Sequence, residues 1–504
     1  MIEHMFEDVI ARFDEMIERQ YPSATPESAG LLERIGAFSR VENRAAAEQL
    51  TAIGDLFVYR LSRCSECEEW AVDTEAAVSA EVAAELRISQ GLAASRVRYA
   101  RAMRERLPQV GAAFRAGDLD FRLFATIVYR TDLITDPDVL AAVDAELAIK
   151  VPRWPSMTQG RMAAHVDKIV ARADADAVRR RTGRRADRQV WVADMEGGLA
   201  HLEGSLLSPD AHALDRRLDA LAATVCDKDP RTRDQRRADA LGALAAGADR
   251  LGCRCGSPGC TAQSRRPSGP VVIHVIAEHA SLEGVGSAPA CEVGAEGLIP
   301  PELIAELAAS AKLVPLVHPE APPEPGYVPS KALADFVRCR DLTCRWPGCD
   351  HPATECDLDH TIPYSDGGST HASNLKCYCR THHLVKTFWG WRERQLPDGS
   401  LILTSPAGQT YVTHPGSALL FPGLCRPTAE LSLPARASAS SERCGDRGAM
   451  MPKRRRTRAQ DRAHRVATER RQNHRARQAK LREREPACSG PTPPADGDDD
   501  PPPF

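Results

Sequence analysis

Between Cys344 and Lys386 the chain reads CRWPGCDHPATECDLDHTIPYSDGGSTHASNLKCYCRTHHLVK. Two jobs are written into this stretch. Cys344 and Cys349 stand four residues apart with Pro347-Gly348 as a turn between them, and Cys379 is followed by His382. Each pair can converge within a few ångströms, and four N/S ligands close a tetrahedral zinc site. Asp359-His360 ends a run with strand character that starts near Glu355, and a turn at Asp366-Gly367-Gly368 follows. Neighbouring side chains in a strand face opposite ways, so Asp359 can meet a cation while His360 approaches a water. Asn374 lies on the returning segment, where its amide can brace a loop. His382 and His383 open a helical stretch toward Trp389 and point roughly 100° apart around its axis. One imidazole can therefore serve zinc and the other a second metal.

Working outward, 504 residues predict two or three units with linkers. The chain is 42% apolar but only 5% aromatic, and Ala, Leu and Arg are abundant, which favours helices. Helical spacing runs through Leu32–Leu61, Val82–Leu107, Phe121–Tyr129, Val139–Ile149, Met162–Arg180 and Ala211–Leu251. The period changes to two at Val190–Asp194 and Leu199–Leu206, which flank the turn residues Glu196-Gly197-Gly198, and Val271–Ile276 is a third run that could join them. Trp391–Gln395 and Ser400–Thr404 flank Pro397-Asp398-Gly399 as a second hairpin. The expected architecture is a mainly α region with a small inserted sheet, then a small metal-bearing module and a disordered basic tail. The expected boundaries are 1–318, a Pro-rich linker at 319–329, the module at 330–395, a β-hairpin extension at 396–422 and the tail at 423–504.

The net charge of −3 hides segregation. Basic residues cluster at Arg179–Arg188 and Lys453–Arg484, acidic ones at Asp496–Asp500. The second basic run has no aromatic stripe and suits sequence-independent attraction to phosphate. Val82–Arg101, with Ser89-Gln90-Gly91 as a turn, has a helix–turn–helix flavour. No secretory signal and no run of about 18 apolar residues is present, so a cytoplasmic location without membrane insertion is expected. In that reducing compartment the sixteen cysteines read as thiols or metal ligands. Cys253, Cys255 and Cys260 form a further C-x-C-x4-C group, a candidate second zinc site with no fourth ligand nearby; Cys226 or the Cys64/Cys67 pair could supply one through the fold.

Asp359-His360, Asn374 and His383 resemble the HNH endonuclease motif, whose fold is a ββα-metal finger. The run Glu81–Ser89, with Arg106-Leu107-Pro108 and Ala116–Asp120 later, resembles the helical region of unknown function fused to such modules in actinobacteria, as in the mycobacterial thirteen-E-twelve repeat family. The resemblance implies a metal-dependent endonuclease acting on DNA. It implies His360 as general base, Asp359 and His383 as ligands of a divalent cation (magnesium or manganese), and Asn374 as the residue that orients the catalytic loop. Cys344, Cys349, Cys379 and His382 would hold a structural zinc. The first pair departs from the C-x2-C spacing of many members, and Cys339, Cys356 and Cys377 lie near enough to compete. Lys386, one turn beyond the histidines, could contact phosphate. The competing reading is a zinc-stabilised protein that binds DNA without cutting it. The sequence sets no oligomeric state.

Overall fold

A computed structural model describes residues 11–16, 25–63, 68–155, 157–179, 188–195, 198–261, 274–293, 298–308, 311–428 and 451–484. In chain order the helices are α1 (Pro26–Arg63), α2 (Thr74–Leu86), α3 (Gln90–Glu105), α4 (Pro108–Arg115), α5 (Phe121–Thr131), α6 (Pro137–Lys150), α7 (Gln159–Ala173), α8 (Ser208–Ala222), α9 (Arg233–Ala245), α10 (His279–Leu282), α11 (Pro301–Ala308), α12 (Lys331–Asp341), α13 (Arg380–Phe388) and α14 (Arg458–Arg484). The strands are β1 (Gln189–Asp194), β2 (Ala200–Ser205), β3 (Val275–Ile276), β4 (Ala290–Glu292), β5 (Leu298–Ile299), β6 (Asp357–His360), β7 (Leu375–Tyr378), β8 (Arg392–Gln395), β9 (Leu401–Thr404) and β10 (Thr410–Thr413). The chain is thus mainly helical toward its N-terminus, with small separate sheets later. Among the described residues no helix is long and apolar enough to cross a membrane.

Two compact units form, and neither is continuous in sequence. One comprises Met1–Glu69, Ser95–Arg180 and Arg454–Phe504; the other comprises Trp70–Ala94 and Arg181–Lys453. This differs from the linear boundaries at 318, 330, 396 and 423, because segments distant in sequence pack into one core.

In the first unit Leu50, Phe114, Phe124, Ile127, Leu147 and Val166 are fully buried. The helix starts follow side-chain chemistry. Asp136 accepts hydrogen bonds from the Asp138 and Val139 amides, with Pro137 in the first turn. Leu107 gives α4 no cap, so Asp144 of α6 accepts from Gln109 N and Val110 N, both at 2.9 Å. The expected disorder of residues 423–504 is corrected over its described helix: α14 is docked on this unit. Arg462 Nη2 lies 2.8 Å from Asp132, Arg470 Nη1 2.6 Å from Asp174 and Arg477 Nη2 2.9 Å from Asp176. Asn473 donates to the Asp176 and Val178 carbonyls, and Val466 is buried. Ion pairs, rather than an apolar stripe, hold this helix, which is why periodicity does not reveal it. The acidic end of the tail and the basic residues 180–187 lie outside the described residues.

In the second unit, β1 and β2 pair antiparallel from Gln189↔Ser205 to Asp194↔Ala200. Val275 and Ile276 do not join them but pair with Glu292 and Cys291 of β4, making a separate sheet with β5. The C-terminal hairpin gains an unforeseen strand: β8, β9 and β10 form a three-stranded meander in the order β10-β9-β8. The turn at Pro397-Asp398-Gly399 needs glycine, since Gly399 has φ +81° and a Cβ there would meet Arg340 Cδ at 3.0 Å. The expected helix Val82–Leu107 is two helices. Arg87 adopts φ 54°, ψ 46° and ends α2, while Gln90 already opens α3. In the first unit the α3 arginines are engaged: Arg96 donates to Gln49 Oε1 at 2.6 Å and Arg104 pairs with Asp55 at 3.0 Å.

The base of the C-terminal module is a buried charge cluster. Asp341, at the end of α12, bonds Arg340 Nε at 2.8 Å and Arg345 Nη1 at 3.1 Å, and its other oxygen accepts from Cys377 N at 2.8 Å. Both guanidiniums also donate to carbonyls, of Ala372 and Leu375 for Arg340 and of Gly399 and Thr413 for Arg345. One carboxylate thereby ties α12, β7 and the meander together.

Candidate metal centre and ββα site

β6, β7 and α13 follow one another as strand, strand, helix. The register is Asp357↔Tyr378, Leu358↔Cys377, Asp359↔Lys376 and His360↔Leu375. Cys379 is the N-cap of α13, placing His382 and His383 in its first turns. A cysteine at a helix N-terminus has its thiolate favoured by the aligned backbone amides.

The four residues Cys344, Cys349, Cys379 and His382 meet with all ligand atoms within 4.8 Å of one another. His382 Nδ1 lies 3.2 Å from Cys379 Sγ and 3.5 Å from Cys344 Sγ. A zinc ion with Zn–S near 2.3 Å has tetrahedral edges of about 3.8 Å, so this donor set fits the ion. The competitors do not join: Cys377 faces the Val337 carbonyl at 4.0 Å and Cys356 the His351 carbonyl at 3.8 Å, and Cys339 is absent from the group. Gly348, at φ +73°, makes the first turn, and a Cβ there would sit 2.5 Å from the Ile88 carbonyl oxygen. The imidazole of His382 is fixed on two sides. Trp346 stacks on it at 4.8 Å with a 1° interplanar angle, and its Nε2 lies 3.4 Å from Gln90 Oε1. Gln90, whose Nε2 donates to the Ala76 carbonyl at 3.0 Å, is a supporting residue that sequence reasoning missed.

Beside this centre lies a second group. His383 Nε2 is 3.4 Å from Asp359 Oδ1, and His383 Nδ1 is 2.8 Å from Asp357 Oδ2. With Nδ1 bonded to Asp357, Nε2 is aimed at Asp359, the carboxylate–histidine arrangement that orients metal ligands, and a cation there would take the place of the Nε2 proton. Two adjacent ligands on an octahedral ion at about 2.1 Å would stand about 3.0 Å apart, so Asp359 and His383 fit a small divalent cation. Asp357 was missed, though it sits on the same strand face as Asp359 at a spacing of two.

The carboxylate of Asp359 is also contested. Lys376, fully buried, lies 2.8 Å from its Oδ2, and Lys386 lies 3.0 Å from it. Both lysines also pair with Glu393, at 2.5 Å and 3.3 Å. Lys386 further donates to the His360 carbonyl at 2.8 Å, so its ammonium points inward, toward the carboxylates. Burial pushes the Asp359 carboxyl up, but the Lys376 charge, the hydrogen bond from His383 and Lys386 together hold it well below the usual range. Burial lowers the His383 imidazole, and Asp359 and Asp357 more than reverse this.

His360 is buried, with Nε2 2.9 Å from Thr370 Oγ1. Burial lowers its pKa from the ordinary 6.5, with Asp359 opposing, so the imidazole is neutral near pH 7. Tyr327 stacks on it at 5.3 Å with a 17° interplanar angle. Tyr327 belongs to the expected linker, which is structured: Glu324 N donates to the Thr370 carbonyl, and Pro325 O accepts from Tyr364 Oη. Asn374 fastens the intervening loop. Its Oδ1 accepts from Ile362 N at 2.8 Å, and Nδ2 donates to the Ile362 and Ser369 carbonyls at 3.1 Å and 2.9 Å. Gly368 lets the loop close, since a Cβ there would fall 1.8 Å from Ile362 O.

Cys253, Cys255 and Cys260 meet Cys226, making a second group whose sulfurs lie within 4.8 Å of one another. Cys64 and Cys67 lie outside the described residues. Every described cysteine is a free thiol. Both groups could hold a metal ion.

Comparison with known proteins places the helical part. The chain is 42% identical over 503 residues to "Uncharacterized protein Rv2100" of Mycobacterium tuberculosis strain H37Rv, covering 90% of each chain. It is 42% identical over 473 residues to "Uncharacterized protein Rv3776" of the same strain, covering 88% of this chain and 90% of that protein. It is 38% identical over 337 residues to "Uncharacterized protein in est 3'region" of Mycobacterium tuberculosis, covering 62% of this chain and 96% of that protein. No solved structure matches the chain. Residues 38–341 match the family model "Domain of unknown function (DUF222)", which ends just before the cysteine–histidine stretch, and the chain belongs to the DUF222 family.

Proposed function

We propose that the protein is a metal-dependent endonuclease of the HNH type, hydrolysing phosphodiester bonds of DNA. The observation that carries this reading is one constellation on a strand–strand–helix frame: His383 oriented by Asp357, its Nε2 facing Asp359 at 3.4 Å, with a neutral buried His360 on the next residue.

Asp359 and His383 would hold a divalent cation, which when bound supplies positive charge to the phosphate and to the departing 3′ oxygen. The remaining roles fall to the chain. His360 has Nε2 engaged with Thr370 Oγ1; with the proton on Nε2, Nδ1 would be the nitrogen that takes the proton from the attacking water. Asn374 holds the loop after His360 at both ends. Lys386, on leaving Asp359 to a cation, would keep Glu393 and the His360 carbonyl and could turn its third N–H to a phosphate oxygen. Zinc on Cys344, Cys349, Cys379 and His382 has no open ligand position, so its part is structural. The outer arginines of α14 offer sequence-independent attraction to DNA. The products would carry 5′-phosphate and 3′-hydroxyl ends.

A second reading draws on the lysines. Lys376 and Lys386 already neutralise Asp359 and Glu393, as in a module that binds DNA and does not cut it. One experiment separates the two. Supercoiled plasmid is incubated with the protein and Mg²⁺ or Mn²⁺, with a chelator control, alongside single-stranded RNA. Metal-dependent nicking with ligatable 5′-phosphate ends supports the nuclease. DNA binding with no nicking under any divalent ion supports the non-cutting reading, and preferential RNA cleavage would reassign the substrate.

A further inference from the structure

We propose that Cys226, Cys253, Cys255 and Cys260 bind a second structural zinc ion that locks the α8–α9 hairpin to residues 246–261. The proposal is independent of the nuclease reading. Its sulfurs come from two places in the sequence: Cys226 lies just beyond the end of α8, and the other three lie on the segment that follows α9. All four sulfurs fall within 4.8 Å of one another, and Cys226 Sγ is 3.5 Å from Cys253 Sγ. An S₄ tetrahedron on zinc has edges of about 3.8 Å, so small adjustments suffice. A disulfide would need about 2.05 Å between two sulfurs and would leave the other two thiols with no role.

The loop is preset for this job by groups that are not ligands. Arg231 donates to Asp229 Oδ2 at 2.8 Å and to the Gly252 carbonyl at 2.7 Å. Asp229 Oδ2 also accepts from Arg254 N at 2.9 Å, so the residues on both sides of Cys253 are pinned to the Cys226 side. Leu251 N donates to Thr224 Oγ1 at 2.9 Å, adding a third tie. Gly256 has φ +67°, and Cys260 N donates to Ser257 O at 3.0 Å, which turns the chain so that Cys255 and Cys260 converge. Among the described residues a small apolar cluster of Val225, Ala243, Ala248, Leu251 and Cys253 lies behind the sulfurs. Residues 246–261 carry no helix or strand, so their order rests on this cluster, on the ties above and on whatever joins the four sulfurs. Metal binding supplies ordering free energy in small domains. Four thiolates with no open position make the ion structural, and the soft donor set selects zinc over magnesium or calcium.

The test uses the full chain, purified without added metal and desalted. Metal analysis should give two zinc ions per chain, and Cys226→Ser should give one. Cys344→Ser should also give one, so the two sites fail separately. X-ray absorption on the wild type needs no variant: it should report seven sulfur and one nitrogen ligands shared over two ions, from one Cys₄ and one Cys₃His set. Limited proteolysis should show new cleavage within residues 246–261 in Cys226→Ser only. One zinc in the wild type, with Cys226→Ser unchanged, would overturn the proposal. So would a Cys226–Cys253 disulfide in protein handled without reductant, or iron in place of the second zinc.

Discussion

Asp341→Asn removes one charge and almost no volume from the base of the C-terminal module. The aspartate is fully buried, with Arg340 at 1% and Arg345 at 3% exposure beside it. The asparagine keeps a single acceptor oxygen, so if it still accepts from Cys377 N its NH2 is turned toward the donors of Arg340 and Arg345, and the loss combines counter-charge and hydrogen bonds. It leaves two buried guanidiniums without their counter-charge, and breaking a buried pair in this way costs about 3–5 kcal/mol. In a unit of this size each kcal/mol moves the midpoint by about 2–4 °C, so the transition should fall by about 6–20 °C. Calorimetry of the zinc-loaded protein reads this directly. The same carboxyl sets an acid limit. Burial pushes it up, but Arg340 and Arg345 hold it below 3.8, so its stabilisation is complete above the unfolded value and is lost as pH falls through the folded one. The acid transition of Asp341→Asn should therefore be shallower than that of the wild type. A loss below about 1 kcal/mol, or an unchanged acid transition, would refute the view that this carboxylate ties α12 to β7 and the meander.

Other consequences follow from the site. Because burial lowers His360 below 6.5, the acid limb of kcat/KM for nicking should lie below that value; a limb at or above 6.5 would exclude it as the base. Lys386→Met removes a cation 3.0 Å from Asp359 and should tighten Mn²⁺ binding about tenfold, roughly 1.4 kcal/mol, while slowing nicking; unchanged Mn²⁺ affinity would show that Lys386 does not compete with the ion. Asp132→Asn with Asp174→Asn and Asp176→Asn removes the partners of Arg462, Arg465, Arg470 and Arg477 and should expose α14 to trypsin; equal protection would mean that Val466 and Asn473 suffice to hold the helix.

The sequence showed most clearly what depends on near neighbours. The Cys344/Cys349 and Cys379/His382 pairs could be read because each brackets a turn or opens a helix. The loop-bracing amide of Asn374 could be read because its partners, Ile362 and Ser369, lie within the one loop that it closes, twelve and five residues back. Pairings set by tertiary structure could not. Cys226 joins its group across 27 residues, and Lys376 meets Asp359 only through the β6–β7 register. Asp357 could have been found, since strand alternation puts it on the Asp359 face. Two segments misled for a common reason. The stretch around Tyr327 and the α14 helix lack an apolar period, yet ring stacking and ion pairs hold them in place.

The most direct test of the central claim compares wild type with His360→Ala under Mg²⁺ and Mn²⁺, measuring nicking, DNA binding and zinc content on the same preparations. The account predicts loss of nicking by His360→Ala with zinc content and DNA affinity unchanged, because the structural centre and the chemical group are separate. Nicking that persists unchanged in His360→Ala would contradict it.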